Sequence, residues 1–268
     1  VDRDTNPRFL LGKARRILLP FFIVSTLQYV VNTYTPNTNN QYDIANIWRI
    51  YLYPWAQFWY LQALFTIFIV VFFIEKSSLL KKLRYFIPIT AIMISLVAIL
   101  NRHHYSGTFS INGTLYIAPF FLLGMGINRF SKFFNDRIVV VISLLIIISG
   151  MALQQLYWYQ VTDYNPGRRS LLILLMSCSA IIILFHFRRN VRFLSWLGFY
   201  SYAIYLFHVF GGAGSRILFT SLGLSSKPLL FISGMIFGLM IPILAEAIIL
   251  RFAWLKFLLL GLRTKKKY

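Results

Sequence analysis

Three groups of residues have the types and the spacing to do chemistry. The first is Lys13-Ala-Arg-Arg16-Ile-Leu-Leu-Pro20. Here three cations precede a proline that sits one turn into an apolar run. A guanidinium donates two parallel hydrogen bonds to a phosphate, so this stretch could clamp an anionic ligand arriving from the cytoplasm. It reads equally as a basic membrane anchor followed by a proline kink. The second group is Ser201-Tyr-Ala-Ile-Tyr-Leu-Phe-His208. Ser201, Tyr205 and His208 are spaced to share one helix face, with Tyr202 flanking them. A hydroxyl, a phenol and an imidazole within an apolar helix are costly unless they face a cavity or the bundle interior. The stripe is therefore a binding face, with His208 near the outer end and able to move a proton, or a set of interhelical hydrogen bonds. The third is the stretch 48–60, WRIYLYPWAQFWY, in which seven of 13 residues are aromatic. Sugar rings lie on Trp and Tyr faces while the polar ring tips hydrogen-bond. An interfacial aromatic belt is the plainer reading.

Other residues carry weaker signals. Glu246 is the only acid well within an apolar run, about one turn from Arg251 and close to Pro242. An intramembrane acid is a functional candidate by default, and a pair with a neighbouring helix's cation is the alternative. Pro119 lies inside another run, with Gly124 and Gly126 beyond it, and reads as a packing kink or as opened backbone lining a cavity. His186 and the pair His103-His104 look interfacial. Cys178, the only cysteine, sits among small residues and reads as packing. No histidines have a metal-ligand spacing with a supporting carboxylate, so no metal is expected. No phosphate-binding loop, nucleophile elbow or dinucleotide fingerprint is present.

The elements that must position these groups follow from composition. Of 268 residues, 58% are apolar, 18% aromatic and only 13% charged, and the mean hydropathy is +0.68. Soluble chains run about 45–50% apolar and about 25% charged. Disorder and a disulfide scaffold are excluded. The net charge of +20 does not indicate nucleic-acid binding, because so apolar a chain has little soluble surface on which to carry it. Eight apolar runs have lengths suited to crossing a bilayer, roughly 17–33, 57–74, 85–100, 111–128, 138–157, 170–187, 193–210 and 228–250. With both termini cytoplasmic, 21 of the 27 Lys and Arg fall on the inner side, as the positive-inside rule requires. The fold expected is an all-α, polytopic transmembrane bundle of about eight spans, a single integral-membrane domain over 1–268. The tail after residue 251 either extends the last helix or lies along the inner interface, and the lysines at 265–267 favour anionic lipid heads.

Together these features resemble the membrane acyltransferase-3 family of bacterial O-acyltransferases, which includes O-antigen and exopolysaccharide acetylases. Four motifs in family order carry the resemblance: the basic stretch with Pro20; Phe58-Trp59-Tyr60-Leu61; Pro119-Phe-Phe-Leu-Leu-Gly124; and Gly198-Phe-Tyr-Ser-Tyr-Ala-Ile-Tyr-Leu-Phe-His208. They cover nearly the whole chain, and the last is the most specific. Family members have about ten spans, the first carrying an Arg and a His eleven residues apart, and that His is taken as the general base. The chain has no such pair, so it resembles family spans three to ten. It is either N-terminally incomplete or a degenerate member. The resemblance implies transfer of an acyl group, acetyl by default, from cytoplasmic acyl-CoA to a hydroxyl of a cell-surface glycan or lipid-linked oligosaccharide, in a bacterial cytoplasmic membrane. It implies donor binding by Lys13, Arg15 and Arg16, and acceptor binding by Trp59, Tyr60, Tyr205 and His208. The catalytic base is unassigned, with His208 a weak candidate. A glycan or lipid-linked-sugar transporter and a non-catalytic scaffold are the competing readings. Oligomeric state leaves no mark on the sequence.

Overall fold

The computed structural model describes residues 7–36, 42–76, 79–100, 107–163, 167 and 170–263. These residues are helical with no strand. The principal helices in chain order are α1 (Pro7–Tyr34), α2 (Trp59–Lys76), α3 (Leu83–Leu100), α4 (Ile111–Arg129) and α5 (Arg137–Trp158). There follow α6 (Leu171–His186), α7 (Arg192–Phe199), α8 (Ser201–Ser221), α9 (Lys227–Ile249) and α10 (Ala253–Leu260). Among the described residues six helices are long and apolar enough to cross a membrane, or seven if the bent pair α7 and α8 counts as one. Their apolar side chains are not all turned inward. On α5, Ile138 is 70% exposed and Ile148 62% exposed, and on α9, Phe231 is 68% exposed. Helices apolar all round that leave such surfaces uncovered need lipid as their solvent. The chain is a multi-pass membrane protein.

The residues form two compact units. One comprises Val1–Leu10 and Gln62–Arg189. Its core gathers Phe86, Ile94 and Val97 of α3, Leu122, Leu123 and Ile127 of α4, and Leu174, Cys178 and Ile182 of α6. Cys178 is buried in that core, as the packing reading expects. α4 runs unbroken through Pro119. A methyl at Gly126 would strike the Phe86 ring, so this glycine serves close packing. Asp136 caps the start of α5, accepting the Ile138 N–H at 2.9 Å. Glu75 is buried and takes Arg129 Nη1 at 2.9 Å; the same nitrogen also donates to the Leu80 carbonyl.

The second unit comprises Leu11–Leu61 and Asn190–Tyr268 and holds every residue singled out above for donor or acceptor binding. α1 starts at Pro7, well before the apolar run at 17–33, so Lys13, Arg15 and Arg16 stand within the helix rather than ahead of it. The run at 193–210 is not one straight span. It breaks at Tyr200, where φ is −90° and ψ 1°, and α7 and α8 meet at 74°. Both pieces are apolar, so hydropathy alone does not see the bend. α8 then continues to Ser221, past the end of the apolar run at 210, which places Arg216 in a helix, and His208 in mid-helix rather than near the outer end. α8 and α9 pack closely: a methyl at Gly211 would overlap the Phe237 carbonyl. The tail does not extend α9. After a break it forms α10, which ends at Gly261.

Candidate functional site

Pro20 shapes one side of the cation cluster. In an α-helix the N–H of residue 20 would bond the carbonyl of residue 16. Proline has no N–H, so the Arg16 carbonyl is left without its helical partner. The Tyr202 hydroxyl donates to it at 2.6 Å. Beside it, Arg15 Nε donates to the Gly261 carbonyl at 2.9 Å. Gly261 has φ +61°, and a methyl there would strike the backbone of Arg15 and Arg16. Only glycine lets the chain after α10 cross α1 so closely. This crossing brings Arg263 near enough to repel Arg15, as Arg16 also does. Three guanidiniums thus gather where an anion would relieve their repulsion. Arg263 escapes a sequence reading because its partners lie at the other end of the chain. The lysines at 265–267, the pair His103-His104, Arg102, Arg168 and Arg169 lie outside the described residues.

One turn along α8 the acceptor-side residues meet. The rings of Tyr60 and Tyr205 are 5.7 Å apart, and Trp59 stands edge-on to Tyr60 at 6.1 Å. The Tyr205 hydroxyl donates to the Gln57 carbonyl, and the Gln57 amide donates to Gln28 Oε1 at 2.8 Å. Tyr60 is partly exposed. The aromatic stretch at 48–60 is therefore divided: Phe58 is buried and stacked on Trp55, while Tyr60 faces Tyr205.

His208 lies one turn further. Its Nδ1 is 3.0 Å from both the Ile204 and the Tyr205 carbonyls. Carbonyl oxygens only accept, so Nδ1 holds the proton of the neutral ring and Nε2 is left as an acceptor. His208 lines a groove of about 530 Å³ between α8 and α9, walled by Gly212, Gly234 and Gly238, with Arg216 two turns away. The polar stripe thus divides between neighbours: Tyr205 turns to the aromatic residues, His208 to the groove, and Ser201 is exposed at the helix start.

A family model described as an acyltransferase domain matches residues 1–247. The chain belongs to the membrane acyltransferase-3 family. No curated protein matches it, and no solved structure matches it. Among the described residues Glu246 has no cation paired with it. Its Oε2 is buried without a hydrogen-bond partner among the described residues. His186 belongs to the first unit, its Nδ1 2.7 Å from Asn135 Oδ1. Among the described residues of the acyltransferase, no cluster of three His, Cys, Asp or Glu could hold a metal.

Proposed function

We propose that this acyltransferase carries an acyl group, acetyl by default, from cytoplasmic acyl-CoA to a hydroxyl of a cell-surface or exopolysaccharide glycan. One observation carries the reading: α8 touches both sets of residues within two turns. Tyr202 holds the Arg16 carbonyl, Tyr205 holds Gln57 and faces Tyr60, and His208 follows. Six residues of helix rise cover about 9 Å, a span over which a bound thioester and an acceptor hydroxyl can meet. Arg15, Arg16 and Arg263, with Lys13 on the same helix, take the phosphates of the donor. Trp59, Tyr60 and Tyr205 take the acceptor sugar by stacking and hydrogen bonding.

The chemistry needs the acceptor oxygen to attack the thioester carbonyl. An O–C bond forms, the C–S bond breaks, and the hydroxyl proton ends on the departing thiolate. To His208 Nε2, the ring nitrogen left as an acceptor, we assign the hydrogen bond from that hydroxyl. The topology that accompanies this reading has eight spans, counting α7 with α8 as one and α6 as one, with both termini in the cytoplasm and the membrane the cytoplasmic one of a bacterium.

The test is equilibrium binding of labelled acetyl-CoA to membranes carrying the protein. Arg16→Ala should weaken binding about tenfold, the scale of one lost charge-assisted contact, with insertion intact. Unchanged binding would assign Arg16 to topology alone. On the acceptor side, Trp59→Ala should lower glycan ester content at equal expression. The unpaired Glu246 favours a second reading, a proton-coupled glycan transporter. Glycan movement that persists without acyl-CoA and stops in Glu246→Gln would establish it.

A further inference from the structure

A cavity of about 420 Å³ lies between the end of α1 and the start of α2, apart from the residues assigned above. Its size falls within the range of about 300–1,000 Å³ typical of small-molecule sites. Tyr29, Tyr42 and Trp55 form one wall, their ring centroids 5.1 to 5.7 Å apart. Asp43, Asn46 and Arg49 supply polar groups.

One polar atom of this lining is unsatisfied, and two exposed polar side chains beside it are not paired with each other. Trp55 Nε1 is buried and has no acceptor among the described residues. A buried donor without a partner costs about 1–3 kcal/mol and calls for an explanation. Asp43 uses Oδ1 to accept the Ala45 N–H at 3.0 Å, and its other oxygen is unengaged among the described residues. Arg49 lies 5.7 Å from the Trp48 ring centroid and makes no ion pair with Asp43, although both line the same cavity. The fold thus holds an acceptor and two donors around an aromatic wall and does not pair them with one another.

That combination selects the occupant. A lipid tail has no use for Asp43 or Arg49. A phosphate would be repelled by Asp43, and a cation by Arg49. A polyol with one apolar face satisfies all of them: C–H groups lie on Tyr42 and Trp55, and hydroxyls donate to Asp43 and accept from Arg49 and Trp55. We propose that this cavity is a sugar subsite. It holds a pyranose ring of the acceptor chain beside the one that is acylated. The proposal rests on the glycan O-acyltransferase reading above. Its place in the fold supports it: Gln28, next to Tyr29, bonds Gln57, whose carbonyl takes Tyr205. A ring seated here adjoins the residues assigned to the acylated sugar.

Saturation-transfer difference NMR on the protein in a sugar-free detergent tests it without any acyl donor. The probes are glucose, galactose, N-acetylglucosamine, rhamnose and glucuronate, with inorganic phosphate as the anion control. Ring protons of at least one sugar should receive saturation from the wild type. Asp43→Asn keeps an acceptor for the Ala45 N–H, and Trp55→Phe keeps an aromatic ring while removing the N–H. Each should weaken binding about tenfold. Silence from every sugar overturns the proposal. So does sugar binding indifferent to Asp43 and Trp55, or phosphate binding that depends on Arg49 in the absence of sugar binding. Because no acylation is read, sugar binding with no acyl transfer would fault the enzymatic reading alone. Acyl transfer to a glycan that survives Asp43→Asn without any sugar binding here would fault the subsite alone.

Discussion

Tyr202→Phe deletes one oxygen, and its cost is set by a proline elsewhere in the chain. The Arg16 carbonyl has no helical donor because residue 20 is proline, and the Tyr202 hydroxyl replaces that donor at 2.6 Å. A hydrogen bond contributes about 0.5–1.5 kcal/mol net, and an acceptor stranded away from water raises the loss toward about 1–3 kcal/mol. With Arg16 exposed and Tyr202 half-buried, we expect about 1.5 kcal/mol for Tyr202→Phe in the native background. In a Pro20→Ala background the new N–H reaches the Arg16 carbonyl, so the same substitution should cost less than about 0.5 kcal/mol. Pro20 is fully buried, and its replacement disturbs packing. That disturbance appears on both sides of a double-mutant cycle and cancels. Unfolding of the four proteins in one detergent, followed by denaturant titration, gives the coupling, expected near about 1 kcal/mol. A Tyr202→Phe cost that is equal in the two backgrounds would refute the claim that the proline creates the need for the tyrosine.

Three further outcomes follow from the packing. Gly211→Ala drives a methyl into the Phe237 carbonyl and should destabilise the protein by about 1–3 kcal/mol, read as a lowered midpoint in the same titration. Arg129→Leu leaves Glu75 buried without its partner. The loss should be about 3 kcal/mol, at the lower edge for a buried pair because Arg129 is partly exposed, and Glu75→Gln in that background should restore part of it. Glu246→Gln removes a carboxylate whose Oε2 has no partner among the described residues, so the thermal midpoint should stay level or rise; a fall would mean that the carboxylate is held by something else.

The apolar runs were legible because length and hydropathy are local properties. The cluster at Lys13, Arg15 and Arg16 and the pairing of Tyr60 with Tyr205 were legible as motifs. What a one-dimensional reading lacked was closure. Arg263 joins the cluster only because Gly261 crosses α1. Glu75, just past the apolar run that ends at 74, is buried against Arg129, 54 residues away. Arg216 lies beyond the apolar run that ends at 210, yet α8 runs past it. The bend at Tyr200 has no proline to announce it. The cavity at Asp43 needs Tyr29 to donate to the Asp43 carbonyl at 2.7 Å, a contact that sequence spacing does not encode.

The fixing of His208 also decides the route of a proton. With Nδ1 held between two carbonyls of its own helix, the ring has no second exit on that side. It exchanges a proton only through Nε2. A proton taken up at Nε2 has to leave by the groove through which it came. The imidazole is a lay-by rather than a conduit: what it takes up at Nε2 it gives back at Nε2.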